Sequence, residues 1–98
     1  MSQLTATLVF AVADKDRCVK VTCGEYSEMY DKPMIKNDPG MFALIVENFC
    51  LAKVIEDGAD IEFVFEDEED LRSIARNEFE LTGKAIHCQC HDHKVTIR

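Results

Sequence analysis

Ala59-Asp60-Ile61-Glu62-Phe63-Val64-Phe65 runs without a break into Glu66-Asp67-Glu68-Glu69-Asp70-Leu71, and the two halves demand different backbones. In the first, Ile61, Phe63 and Phe65 alternate with Asp60, Glu62 and Val64, the period-two pattern of a strand with one buried face. In the second, Leu71, Ile74, Ala75 and Phe79 recur at helical spacing. Carboxylates crowd the start of that helix, where they complement its open amides and the positive end of its dipole. Asp67 is the best-placed N-cap, and Thr82-Gly83 supplies the stop. A half-buried strand passing directly into an amphipathic helix predicts a sheet with a helix laid on one face.

The flanking segments extend the pattern. Leu4 to Val12 alternates with Leu4, Ala6, Leu8, Phe10 and Val12 on one face; Asp14 to Arg17 is a polar turn; Cys18 to Cys23 alternates with Val19, Val21 and Cys23 inward. An opening β-hairpin follows. Asp38-Pro39 reads as a helix start, because Asp accepts orphan amide hydrogens and Pro at the first helical position loses no needed bond. Apolar residues from Phe42 to Ile55 then cover most of the circumference, predicting a central helix that reaches Glu56 and stops at Gly58, with Cys50 inside it as a packing residue. Lys84 to Cys90 and Lys94 to Arg98 alternate around His91-Asp92-His93, predicting a closing hairpin with Ile86, Cys88 and Cys90 facing Val95 and Ile97.

The order β-β-α-β-α-β-β predicts a two-layer α+β fold, a mostly antiparallel sheet carrying two helices on one face, with residues 1–98 as a single domain. Gly24 to Gly40 holds both prolines and no sustained period, so it reads as a long irregular connection. Its Tyr26, Met29 and Tyr30 either close an edge of the core or face a partner.

Charge narrows the function classes. The chain carries 19 acids against 11 Lys and Arg for a net charge of −8, a field that repels phosphate backbones and anionic membranes. Direct nucleic-acid binding is not expected. The imbalance is local, with eleven acids between residues 56 and 80 against only Arg72 and Arg76. Five cysteines, an odd number with no secretory apolar stretch behind Met1, point to a reducing cytoplasmic compartment, the host cytoplasm for a phage-encoded chain. The densest apolar stretch, Met41 to Ile55, is too short and too interrupted to span a bilayer.

The stretch richest in reactive side chains is His87-Cys88-Gln89-Cys90-His91-Asp92-His93, whose thiols and imidazoles are donors that zinc or copper accepts. Strand alternation sends Cys88 and Cys90 to one face and His87 and His91 to the other, so the stretch reads as two buried thiols and three polar histidines near a hairpin tip. On that reading no metal or cofactor is bound. With no Gly-rich phosphate loop, nucleophile elbow or His-Glu-x-x-His pattern, a non-enzymatic role is expected.

What remains is the acidic stretch. Glu62, Glu66, Asp67, Glu68, Glu69 and Asp70, with Tyr26, Met29 and Tyr30, are the candidate partner-binding residues. Carboxylates fixed on regular elements can substitute for phosphates in a cationic groove and steer association. The expected function is an inhibitor or regulator that occupies a basic site on a nucleic-acid-handling protein. The alternatives are a zinc- or copper-binding protein using residues 87–93 and a structural oligomerising domain. Glu68 and Glu69 read as exposed, so reversing their charge is expected to cost only about 1 kcal/mol of stability through the helix dipole. In size, acidity and lack of catalytic motifs the chain resembles small accessory proteins of phages and mobile elements, including anti-CRISPR inhibitors of host defence. That resemblance is one of type and carries over no residues.

Overall fold

A computed structural model describes residues 4–79, 85–87 and 92–98. The elements are β1 (Thr5–Ala13), β2 (Cys18–Cys23), β3 (Tyr26–Asp31), α1 (Lys32–Asn37), α2 (Met41–Leu51), β4 (Asp60–Glu66), α3 (Glu69–Glu78), β5 (Ala85–His87) and β6 (Asp92–Ile97). The strands form one six-stranded sheet in the order β3-β2-β1-β4-β6-β5. The outer pairings β3–β2, β2–β1 and β6–β5 are antiparallel, as expected of this α+β fold, while β4 lies parallel to both β1 and β6 at the centre.

Alternation along the strands builds the core. The register pairs Ala6 with Ile61, Leu8 with Phe63 and Phe10 with Phe65, so the inward residues of the two central strands sit side by side. Val19, Val21 and Cys23 continue that buried face on β2, and Val95 and Ile97 continue it on β6. Phe42, Ile45, Val46 and Phe49 of α2, with Leu71 and Ala75 of α3, close over it. Phe10 has ring centroids 5.6 Å from Phe42, 5.2 Å from Phe63 and 4.8 Å from Phe65, inside the range where aromatic pairs attract beyond their area burial.

Two segments depart from the sequence reading. Residues 24–40 are not an irregular connection: Gly24 takes a φ of +63°, the left-handed conformation a two-residue hairpin loop needs at its first position, and β3 pairs back along the whole of β2. After β3 the chain enters α1 at once, with Pro33 in its first turn. Asp38 accordingly ends α1 instead of starting α2, its amide donating to the Met34 carbonyl at 3.0 Å, and Gly40 at φ +87° is the N-cap of α2.

The second departure is the end of α2, which stops at Leu51 and not near Glu56. Val54 N–H donates to Phe49 O at 3.2 Å and Lys53 N–H to Cys50 O at 2.9 Å, the paired bonds of a Schellman cap, with Lys53 left-handed at φ +62°. Gly58 is also left-handed, but in the turn that leads into β4. A β-carbon resists this conformation, so Lys53→Gly, at an exposed position, is expected to raise stability by about 1 kcal/mol. Chemical denaturation of the two proteins measures the difference. At α3 the N-cap is Glu68, one residue beyond the expected Asp67, which instead turns the chain out of β4 with φ +57°.

Candidate functional site

The acidic residues gather where β4 ends and α3 begins. Glu66 pairs with Ala11 at the carboxyl ends of the two central parallel strands, and Asp67 to Asp70 carry the chain into the first turn of α3. Most of these carboxylates meet a cation of their own chain. Lys32 of α1 contacts Glu68 at 3.3 Å, Lys36 contacts Asp70 at 3.1 Å, Arg72 contacts Glu69 at 3.3 Å, and Arg98 contacts Glu62 at 2.6 Å. Glu62 also accepts a hydrogen bond from Thr7 Oγ1 at 3.4 Å. Arg72 is held further by the carbonyls of Phe65, at 3.0 Å, and Arg98, at 2.9 Å.

Lys32 and Lys36 were invisible as partners in the sequence, because they precede the acids by more than thirty positions and face them only once α1 forms beside α3. The Lys32–Glu68 pair is the most shielded, with side chains only 19% and 14% exposed, which corrects the expectation that Glu68 lies open to solvent. Glu66 and Asp67 are exposed and have no ion pair among the described residues. They form the part of the acidic cluster most available to an outside cation.

Tyr26, Met29 and Tyr30 all lie on β3, an edge strand, but not on one face of it. The register aligns Tyr26 with Cys23 and Tyr30 with Val19, on the core side, and Met29 with Lys20 on the opposite side. Tyr26 stacks edge-on against Phe49 at 5.3 Å and donates to the Glu28 carboxylate at 2.9 Å, while Tyr30 accepts a long 3.5 Å bond from Asn48 Nδ2. Met29 is half exposed on the uncovered face of the sheet. The two tyrosines thus pack partly against the core and face the opposite side of β3 from Met29.

The Glu28 carboxylate that accepts the Tyr26 hydroxyl, with partial burial, raises that phenol above its ordinary value. Burial raises Tyr30, partly offset by the bond from Asn48. Both shifts favour the neutral phenol in the folded chain, so their contribution to stability is complete below about pH 10 and is lost as pH rises through the native-state values. A spectrophotometric titration is expected to show both tyrosines ionising at higher pH in the native protein than in denaturant.

Elsewhere, a groove of about 700 Å³ between the β1–β2 turn and α1 is lined by Asp16, Arg17, Asp31, Lys32, Met34 and Lys36 among others. It offers ammonium, guanidinium and carboxylate groups but no imidazole or thiol. Partial burial and the Asp14 and Asp31 carboxylates push the Cys18 thiol up, and burial pushes the Cys23 thiol up, so both are held in the unreactive protonated form.

His93 departs most from the sequence reading. It is not a polar residue at a hairpin tip: it is 2% exposed on the core face of β6, two positions before buried Val95. Its Nδ1 lies 2.7 Å from the carbonyl of Ala59, and its Nε2 lies 3.6 Å from Sγ of Cys50 on α2. Since the carbonyl can only accept, Nδ1 donates a proton to it. Cys88, Cys90 and His91 of the Cys/His stretch lie outside the described residues, as do Glu80 and the expected helix stop at Thr82-Gly83. No protein-family model, curated protein or solved structure matches this chain. No helix among the described residues is long and apolar enough to cross a membrane.

Proposed function

We propose that this protein is a small non-enzymatic binding module, an inhibitor or regulator that presents its acidic surface to a basic site on a nucleic-acid-handling protein. The observation that supports this reading is the placement of Glu66 and Asp67. They are exposed, unpaired among the described residues, and fixed at the junction of a central strand and a helix. Glu69 and Asp70 flank them with side chains 84% and 66% exposed, each shared with a cation that an incoming Arg or Lys could replace. Their backbone is already ordered by the strand and the helix start, so only the side chains lose freedom on association. The net charge of −8 adds long-range steering toward a basic partner.

The test uses the full chain as immobilised bait. A lysate of candidate host cells is expected to yield a basic nucleic-acid-binding protein that duplex DNA elutes from the wild type, and that a Glu66→Lys/Asp67→Asn bait fails to hold. Asn at position 67 removes the charge while tolerating the left-handed backbone. Equal capture by both baits removes the acidic surface as the binding site.

A further inference from the structure

Away from the acidic surface, β3 leaves one side of its backbone without a partner among the described residues. It is the last strand of the sheet, beyond β2. The register tells which groups face outward. At one end the two-residue loop Gly24-Glu25 closes on the Cys23–Tyr26 pair, and at the other Lys32 N–H donates to Arg17 O at 2.9 Å. Hydrogen-bonding positions alternate along an antiparallel pair, so Tyr26, Glu28 and Tyr30 direct their backbone groups to β2. Ser27, Met29 and Asp31 turn theirs away from the sheet.

Most of the devices that blunt such an edge are absent from this strand. It runs for six residues, pairs with β2 at every one of them without a bulge, and holds neither proline nor lysine. At its middle the Met29 side chain is 49% exposed. The blocking feature is Glu28, an exposed charge on the core side, and it selects what can pair here. A second β3 laid antiparallel with Glu28 on the twofold axis sets two carboxylates directly opposite each other, which is destabilising. An axis at Ser27 or at Tyr30 runs the pairing into the Gly24-Glu25 turn or into α1.

An axis at Met29 avoids all three conflicts. It sets Glu28 of each copy opposite Tyr30 of the other. Tyr26 already reaches the Glu28 carboxylate at 2.9 Å from two positions along the same strand, a Cα separation of about 7 Å, and residues opposite each other in such a pair are closer, at about 4.5 Å. The Tyr30 hydroxyl accepts from Asn48, which leaves its own proton to give. The same register exchanges two backbone hydrogen bonds between the Met29 residues and lets each Asp31 N–H donate to a Ser27 carbonyl of the other copy. We propose that the outer edge of β3 is a homodimer interface, at which two copies of this chain pair antiparallel about Met29 and join their sheets into one.

The test is sedimentation equilibrium of the full wild-type chain from about 10 μM to about 1 mM, the range of a small, reversible interface. A monomer–dimer equilibrium is expected, and salt should favour the dimer, because each copy carries a net charge of −8 and screening weakens their repulsion. Met29→Pro removes a donor that faces away from β2 and should weaken the dimer at least about tenfold. If Met29→Pro does not fold, Met29→Lys at this half-exposed side chain sets two cations across the axis and should give the same loss. Amide hydrogen exchange of the wild type locates the contact: the Met29 and Asp31 amides should slow as protein concentration rises, while those of Glu28 and Tyr30, already bonded to β2, should not change. A monomer across the whole range overturns the proposal and leaves the edge to water or to a strand of a different chain. A dimer with unchanged exchange at Met29 and Asp31, or one that a folded Met29→Lys forms equally well, overturns it too. None of these results bears on the acidic surface.

Discussion

Phe10→Ala is expected to lower the free energy of unfolding by about 3–5 kcal/mol, a large part of the roughly 5–15 kcal/mol that holds a domain together. The ring is fully buried at the centre of the sheet, within 5.6 Å of Phe42, Phe63 and Phe65, so its loss removes transfer energy and opens a hole that three neighbouring rings cannot all close. Val9→Ala, one residue away on the uncovered face, should cost only about 1 kcal/mol, because its side chain is already partly in water. Urea denaturation of both variants measures the contrast. Equal losses at the two positions would show that the core does not lie on the face assigned to it.

The second large effect concerns the tie between α1 and α3. Glu68→Lys replaces the partner of Lys32 with a second cation, at a contact where both side chains are mostly shielded from water. Exposed pairs of this kind contribute at most about 1 kcal/mol, and breaking buried ones costs about 3–5 kcal/mol. For this intermediate case a loss of about 2 kcal/mol is expected, larger than the sequence alone suggested. Glu66→Lys, which breaks no ion pair among the described residues, should cost almost nothing. The double variant Lys32→Glu/Glu68→Lys should recover more than half of the loss by restoring opposite charges. If Glu68→Lys is as stable as the wild type, the pair is incidental and α1 is held by its buried residue Ile35 and the Lys36–Asp70 pair.

These two effects also mark what could be read from the amino-acid order. β1, β2 and β4 were legible because each buries one face, and the same alternation placed Phe10, Val21 and Phe63 inward. β3 was not legible. As an edge strand it buries neither face fully, and Glu28 sits between its tyrosines on the core side, so no hydrophobic period survives. The end of α2 was hidden for the opposite reason: Val54 and Ile55 continue the apolar pattern past the cap, and Lys53 occupies the left-handed position where a glycine would have announced it. The parallel pairings of β4 could not be read at all, since strand order leaves no local trace.

The candidate site divides in the same way. The position of Glu66 to Asp70 at a helix start was legible, but their cations were not, since Lys32 and Lys36 meet them only through the tertiary fold. The signal for His93 was present and unused. Placing Val95 and Ile97 inward fixes the parity of β6, and two residues back along the same face is His93. Its partner Cys50 had been absorbed into an apolar helix, where a free cysteine looks like any small hydrophobe.

The binding reading is tested most directly by association kinetics between the full chain and the basic nucleic-acid-binding protein it captures, measured at rising salt with and without duplex DNA. Exposed carboxylates act over about 8–10 Å at ordinary ionic strength, so the association rate should fall steeply with salt while the dissociation rate changes little. Glu66→Lys/Asp67→Asn should slow association about tenfold at low salt with its folding intact, and duplex DNA should compete for the same site. Rates indifferent to salt and to this substitution, or DNA bound alongside the chain without displacing it, would contradict phosphate mimicry and return Glu66 to Asp70 to the role of a solvated helix start.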